Sequence, residues 1–258
     1  MHSFLKYTYS SSLLLLISFN LYADVSPSKQ REDSINNQII EYLFDADIVK
    51  LSSSLENNFN LVMNRNDSSQ YSVLLLHGRG LYPTEPNVME PLRTSFIDQE
   101  ISTFSLQLPV LEKGKSYYDY KNIFKYSDER ISSAINFIQS HKIIIIAHSC
   151  GAHMLFSWIN NNNIQNISGL ILIGAGAVDV DQVMLDKLDY NIINIPILNI
   201  YGENDHGSVK NHSILFGKEI KRKNDTSSKN IEISNSDHNY LDHGDSLVNI
   251  VNSWLKSL

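Results

Sequence analysis

The chain has 258 residues, 42% of them hydrophobic, and a formal net charge of −7. That length suits one α/β domain with a sizeable core, and the acidic balance without a dense Lys/Arg cluster argues against nucleic-acid binding through a basic face. A single cysteine, Cys150, leaves no internal disulfide, so stability has to come from core packing.

The first segment reads as a targeting signal. His2 and Lys6 precede the apolar run Leu13 to Phe19, and Leu21-Tyr22-Ala23 resembles a cleavage site. This build predicts a secretory signal peptide over residues 1–23 and an exported protein, periplasmic or secreted. The apolar run is too short to persist as a bilayer-spanning helix, so no membrane span is expected in the mature chain. Residues 24–36 are polar and are expected to be flexible. No repeat or Pro/Gly-rich linker divides the rest, which predicts one domain over 37–258.

Within it, apolar strands alternate with helical patterns. Strands are expected at Phe59 to Met63, Val73 to Leu76, Thr103 to Leu108, Ile143 to Ile146, Leu170 to Ile173, Ile197 to Tyr201 and Ile231 to Ile233. The four consecutive isoleucines at 143–146 are the strongest of these, because β-branched residues favour extended backbone. Helical spacing runs through Ser127 to Gln139, through Ala152 to Asn160, and along a terminal stripe of Leu247, Ile250, Val251, Trp254 and Leu255. Lys221-Arg222-Lys223 reads as a solvated loop. Wholly apolar strands interleaved with helices imply a doubly wound, mainly parallel sheet covered on both faces. In such a sheet, ligands bind at the carboxyl ends of the strands. Those ends carry His77-Gly78, Ser149, Gly174, Asp205 and, just past the last strand, His238.

Ala147-His148-Ser149-Cys150-Gly151 follows the isoleucine strand and precedes a helix. A sharp strand–turn–helix with small flanking residues exposes a serine nucleophile, and Ala147 stands where the usual pattern has glycine. Cys150 as nucleophile would put bulky His148 at a tight position. Its backbone N–H suits an oxyanion hole better. The turn His77-Gly78-Arg79-Gly80 offers a second such donor, the N–H of Arg79. For the acid, Asp205 is preferred to Glu203 because it lies deeper in its turn. For the base, His238 is preferred to His243. A neutral imidazole takes the serine proton while a carboxylate holds the ring in the right tautomer. The histidine spacings lack the pairing of a helical zinc site, so no metal is expected, and His141 and His153 read as surface or packing residues.

At these residues the chain resembles the α/β-hydrolase superfamily and, more narrowly, a family of uncharacterised exported bacterial α/β-hydrolases. Leu74-Leu75-Leu76-His77-Gly78-Arg79-Gly80, Glu90-Pro91-Leu92-Arg93, Ser105 to Leu111, Tyr201 to Asp205 and Asp237-His238 carry the likeness, which spans roughly residues 50–255. It implies the fold and a Ser149–Asp205–His238 triad, but no substrate. Many such enzymes insert a lid after the strand that follows the elbow helix. Here Ala175 to Ile195 leaves room for one short helix, Asp181 to Leu188, and for no large cap. The expected activity is hydrolysis of a carboxylic ester or related acyl compound through an acyl-enzyme, without cofactor, on a small-molecule or acylated substrate. A peptidase or acyltransferase of the same fold, and a non-catalytic binding protein that keeps it, are the alternatives.

Overall fold

Alternation at period two organises the core. Along Val73 to Leu76, Ile143 to Ile146 and Leu170 to Ile173, successive side chains point to opposite faces of one sheet, and both faces are buried. The computed structural model describes residues 25–140 and 142–258. The segment expected to be a signal peptide lies outside the described residues, as does His141.

In chain order the first elements are α1 Lys29–Tyr42, β1 Asp47–Leu51, β2 Phe59–Asn64, β3 Ser72–Leu76, α2 Met89–Asp98, β4 Ser102–Leu106, α3 Tyr117–Lys121 and α4 Phe124–Ile138. There follow β5 Ile143–His148, α5 Cys150–Asn161, β6 Ile167–Ile173, β7 Ile197–Gly202, α6 Gly207–Lys223, β8 Lys229–Ile233 and α7 Gly244–Leu255. Eight strands form one sheet in the order β1-β2-β4-β3-β5-β6-β7-β8. The first two pairings, β1 with β2 and β2 with β4, are antiparallel, and the rest are parallel.

One face of the sheet, carrying Leu74, Ile145 and Leu172, packs against α4 and α5 through Ile131, Leu155 and Phe156. The other, carrying Leu75, Ile146 and Ile173, packs against α2 and α7 through Leu92, Phe96, Leu247 and Trp254. Helix α5 is buried from Cys150 through Ile159, which fits its apolar character all round. This is the doubly wound, mainly parallel architecture expected from the alternation of elements, and among the described residues no large cap stands over it.

Three expectations are corrected. Residues 29–36, within the stretch expected to be flexible, form the first half of α1, with Glu32 and Asn36 buried. Glu32 pairs with Arg130 at 3.0 Å, so the helix is fixed by an internal ion pair rather than by an apolar stripe. Lys221, Arg222 and Lys223 form the last turn of α6, where cations complement the negative end of the helix dipole. The short helix expected over Asp181 to Leu188 does not form. That stretch is irregular, and neighbouring side chains take its backbone N–H groups: Val183 donates to the Tyr118 hydroxyl at 3.0 Å and Leu185 to the Tyr117 hydroxyl at 2.9 Å. Among the described residues, no helix is long and apolar enough to cross a membrane.

Candidate active site

Strand β5 delivers the site. Its Ala147 pairs in register with Leu76 of β3 and Leu172 of β6, which places Ser149 at the centre of the sheet's carboxyl edge. Ser149 sits at φ 53°, ψ −122°, a conformation that an L-residue adopts only when its surroundings hold it there. The holding contacts are visible. The Ser149 N–H donates to the Ile173 carbonyl at 2.8 Å, and the Ser149 carbonyl accepts from Ala152 N–H at 3.0 Å. Gly151 is pressed so closely on β3 that a Cβ there would lie 2.5 Å from the His77 carbonyl oxygen. The elbow therefore needs glycine after the serine, whereas Ala147 is accommodated inside the strand.

Helix α5 begins at Cys150, so the Cys150 N–H belongs to the first turn and has no acceptor within the helix. The other suggested donor, Arg79, lies in the turn after β3. That turn passes directly over the serine, with a Cβ built on Gly78 only 3.3 Å from Ser149 Cβ. Buried His77 fixes the turn. Its Nδ1 is 2.8 Å from the Gly78 carbonyl oxygen, and its Nε2 accepts the Leu108 N–H at 3.0 Å. Burial lowers the His77 pKa to about 4, so the ring is neutral, as this donor–acceptor pairing requires.

The remaining predicted residues come from the next two strand ends. Asp205 follows β7 and is held in its turn by its own N–H, which donates to the Gly202 carbonyl at 3.1 Å. His238 lies beyond β8. Ser149 Oγ is 2.8 Å from His238 Nε2, and His238 Nδ1 is 2.8 Å from Asp205 Oδ1. The same Asp205 oxygen accepts the His206 N–H at 2.7 Å. The three residues expected to act together are thus linked in one hydrogen-bonded chain.

The rivals lie elsewhere. Glu203 accepts the Asn235 N–H at 2.8 Å and so ties two loops together. His243 stands at the start of α7. The Cys150 thiol is buried and its pKa is pushed up to about 12, chiefly by desolvation, so it stays protonated and is a poor nucleophile.

Ser149, Cys150, Arg79, His206 and His238 line a cleft of about 290 Å³. Its outer wall is the segment after β6, including Val178 and Asp179. Two further contributions were not legible beforehand. The Arg79 guanidinium forms a two-pronged ion pair with Asp179, at 2.5 and 2.8 Å, that clamps this wall to the turn over Ser149. The His206 ring lies against His238, with centroids 4.7 Å apart. An arginine between two glycines hinted at the first; the second depends on a loop path that local pattern does not encode. His153, expected to be a surface or packing residue, is buried and accepts the Gly176 N–H at 3.0 Å, holding the start of the same wall.

Asp205, His206 and His238 offer ligand atoms within 4.8 Å of one another. A cation held by all three would have to take a His238 ring nitrogen already used in the Ser149–His238–Asp205 chain. The arrangement suits proton transfer to and from the serine better than metal binding.

No family model matches the sequence, and no curated protein does. Solved structures do match its fold. An esterase from Pyrococcus furiosus superposes with a TM-score of 0.63 at 12% identity, covering 85% of this chain and 93% of its own. A thermophilic esterase from Thermogutta terrifontis gives 0.60 at 14% identity, covering 82% of this chain and 99% of its own. A predicted CIB-like hydrolase from Thermoplasma acidophilum gives 0.60 at 15% identity, covering 83% of this chain and 100% of its own. The architecture is therefore that of the α/β-hydrolase fold.

Proposed function

We propose that this protein is a serine hydrolase that cleaves carboxylic esters through a covalent acyl-enzyme. The observation that carries the reading is the hydrogen-bonded chain from Ser149 Oγ through His238 to Asp205, with both links at 2.8 Å. His238 Nε2 takes the Ser149 proton as Oγ attacks the ester carbonyl. The Asp205 carboxylate keeps the proton of His238 on Nδ1 and stabilises the imidazolium that forms. The carbonyl oxygen becomes an oxyanion, which the N–H groups of Arg79 and Cys150 receive at the first turn of α5, where the helix dipole adds to their pull. The tetrahedral centre then collapses. The ester C–O bond breaks and His238 returns its proton to the departing alkoxide. A water, deprotonated by the same His238, attacks the acyl-Ser149 carbonyl, and Ser149 leaves with that proton. The acyl group departs as a carboxylic acid and the enzyme is restored.

The esterases among the structural relatives support ester chemistry in particular. The open cleft, roofed by no cap among the described residues, suits a small ester or an acyl group exposed on a larger molecule. Export completes the proposal: residues 1–23 carry the protein out of the cytoplasm and are removed.

Labelling of the purified protein by a fluorophosphonate probe, beside Ser149→Ala, tests the nucleophile. Labelling of the wild type that vanishes in the variant is expected. A folded wild type that takes no label would point instead to a binding protein with an idle triad. Parallel panels of esters and peptides then separate an esterase from a peptidase.

A further inference from the structure

A second, larger hollow lies beside the catalytic cleft. It occupies about 600 Å³ between the irregular stretch 176–191 and one side of α6. The two share Val178, and Ala177 of the cleft stands next to Gly176 of the hollow, so they adjoin along this segment. Val178, Val183, Met184, Leu188 and Leu215 give the hollow an apolar lining. Val183 is 64% and Leu215 60% exposed, and Val180, at the mouth of the cleft, is 89% exposed. Adjoining exposed apolar side chains at a cleft mark a binding surface rather than an ordinary solvated loop.

The wall of this trough is built. Besides the Arg79–Asp179 clamp, Lys121 forms an ion pair with Asp186 at 2.5 Å, and the hydroxyls of Tyr117 and Tyr118 hold the backbone at Leu185 and Val183. Further in, the Tyr190 hydroxyl lies 3.2 Å from His212 Nε2. Burial lowers the His212 pKa to about 4, so this inner pair carries no charge at neutral pH. Charged Lys187, Asp189 and Glu219 also line the hollow, as do polar Gln182, Asn191, Ser208 and Asn211.

We propose that this trough receives an unbranched alkyl chain of the ester substrate. The inference rests on Ser149 being the nucleophile and adds the substrate class: esters with a chain longer than acetyl or methyl. Such a chain would run from the scissile bond past Val178 onto Met184, Leu188 and Leu215. Each methylene fully removed from water contributes about 0.8 kcal/mol, about fourfold in binding, and a half-open trough gives part of that. The chain belongs to the acyl or the alcohol side of the ester, and the two are separable by experiment.

The purified protein, first shown to label with fluorophosphonate at Ser149, is assayed on p-nitrophenyl acetate, butyrate and octanoate and on methyl, butyl and octyl acetate. The expected result is a rise in kcat/KM of about tenfold or more along one series. A rise in the first puts the chain on the acyl side, and a rise in the second on the alcohol side. Leu215→Asp and Val183→Asp, both at exposed positions, should each reduce the long-to-short ratio about tenfold. Phe44→Asp, at a position 91% exposed and outside the trough, should leave that ratio unchanged. Flat profiles in both series, or ratios untouched by both trough variants, would overturn the inference while the serine-hydrolase reading stands. Loss of Ser149 labelling in the wild type would overturn both.

Discussion

Arg31 of α1 donates from Nη2 to the carbonyl oxygen of Gly80 at 2.8 Å, bridging 49 residues of sequence to the turn above Ser149. Its other terminal nitrogen is bonded to the Leu111 carbonyl. The first described helix therefore braces the turn that carries the Arg79 N–H. Gly80 stands at φ 68°, and a Cβ on it would lie 3.1 Å from the guanidinium, so glycine gives both the turn and the room for Arg31. We expect Arg31→Ala to lower kcat by about tenfold through misplacement of the Arg79 N–H, the proposed oxyanion donor, with KM little changed. Arg31→Lys, which keeps one charged donor, should recover part of the loss. A parallel fall in stability with kcat intact would show that Arg31 serves the fold alone.

Glu32 reaches inward one residue later. It accepts from Arg130 at 3.0 and 3.1 Å and from the Val110 N–H at 3.1 Å, while Arg130 also binds Glu56 at 2.7 Å. Glu32 is 1% exposed, and desolvation raises its pKa against the pull of Arg130. Removing one member of a buried charge cluster leaves the other members poorly compensated, which typically costs about 3 to 5 kcal/mol. Glu32→Ala should lose about 3 kcal/mol, because Glu56 still pairs with the guanidinium. Arg130→Ala should lose more, since it strands two carboxylates together. Denaturant midpoints of the two variants check both the loss and its order.

How much of this could be read beforehand depended on what each element buries. The strands announced themselves because Leu74, Ile145 and Ile171 fill faces that water never reaches. Ser149, Asp205 and His238 were legible because each ends such a strand or follows one closely. Helix α1 was not, since its inward face holds Glu32 and Asn36, which pattern reading assigns to solvent. Helix α6 buries only Val209, Ser213 and Phe216, too sparse a stripe to stand out. Edge strand β1 alternates weakly and has no fully buried residue. The stretch 181–188 misled in the opposite direction. Its Val183, Met184, Leu185 and Leu188 have helical spacing, but the side chains of Tyr117, Tyr118, Arg79 and Lys121 hold it open as a wall.

Acid should destabilise the fold through its buried histidines. Burial lowers His77 to about 4, and His148 and His153 to about 3, from an ordinary value of 6.5. With a lowered folded pKa, the unfolded chain binds protons that the native state refuses. Stability is therefore fully present above about pH 6.5 and falls as pH drops toward 4. Each histidine contributes up to about 1.4 kcal/mol per pH unit in that window. Asp128, raised to about 6 by burial, has the opposite sign and offsets part of this below pH 6. Unfolding free energy measured from pH 7.5 to 5 should decline steeply. His153→Gln, which retains an acceptor for Gly176, should flatten the slope by about one proton. An unchanged slope would mean that His153 is protonated in the native state.

The turn at Ser149 should be asymmetric in what it tolerates. Ala147 already carries a Cβ in a fully buried strand position, between Leu76 and Leu172. Ala147→Gly then removes packing and adds backbone freedom to the unfolded chain, a loss of about 1 kcal/mol, with the turn itself intact. Gly151→Ala acts on the other side. The new methyl would stand 2.5 Å from the His77 carbonyl oxygen and 2.7 Å from that of Leu76. Both are backbone atoms of the segment leading into the turn above Ser149, so relief requires β3 and α5 to part. Fluorophosphonate labelling at Ser149 should accordingly persist in Ala147→Gly at a rate within a few fold of the wild type and fall by about a hundredfold in Gly151→Ala. Comparable labelling in both variants would mean that α5 can shift without disturbing the serine, and the tight contact would then serve only packing.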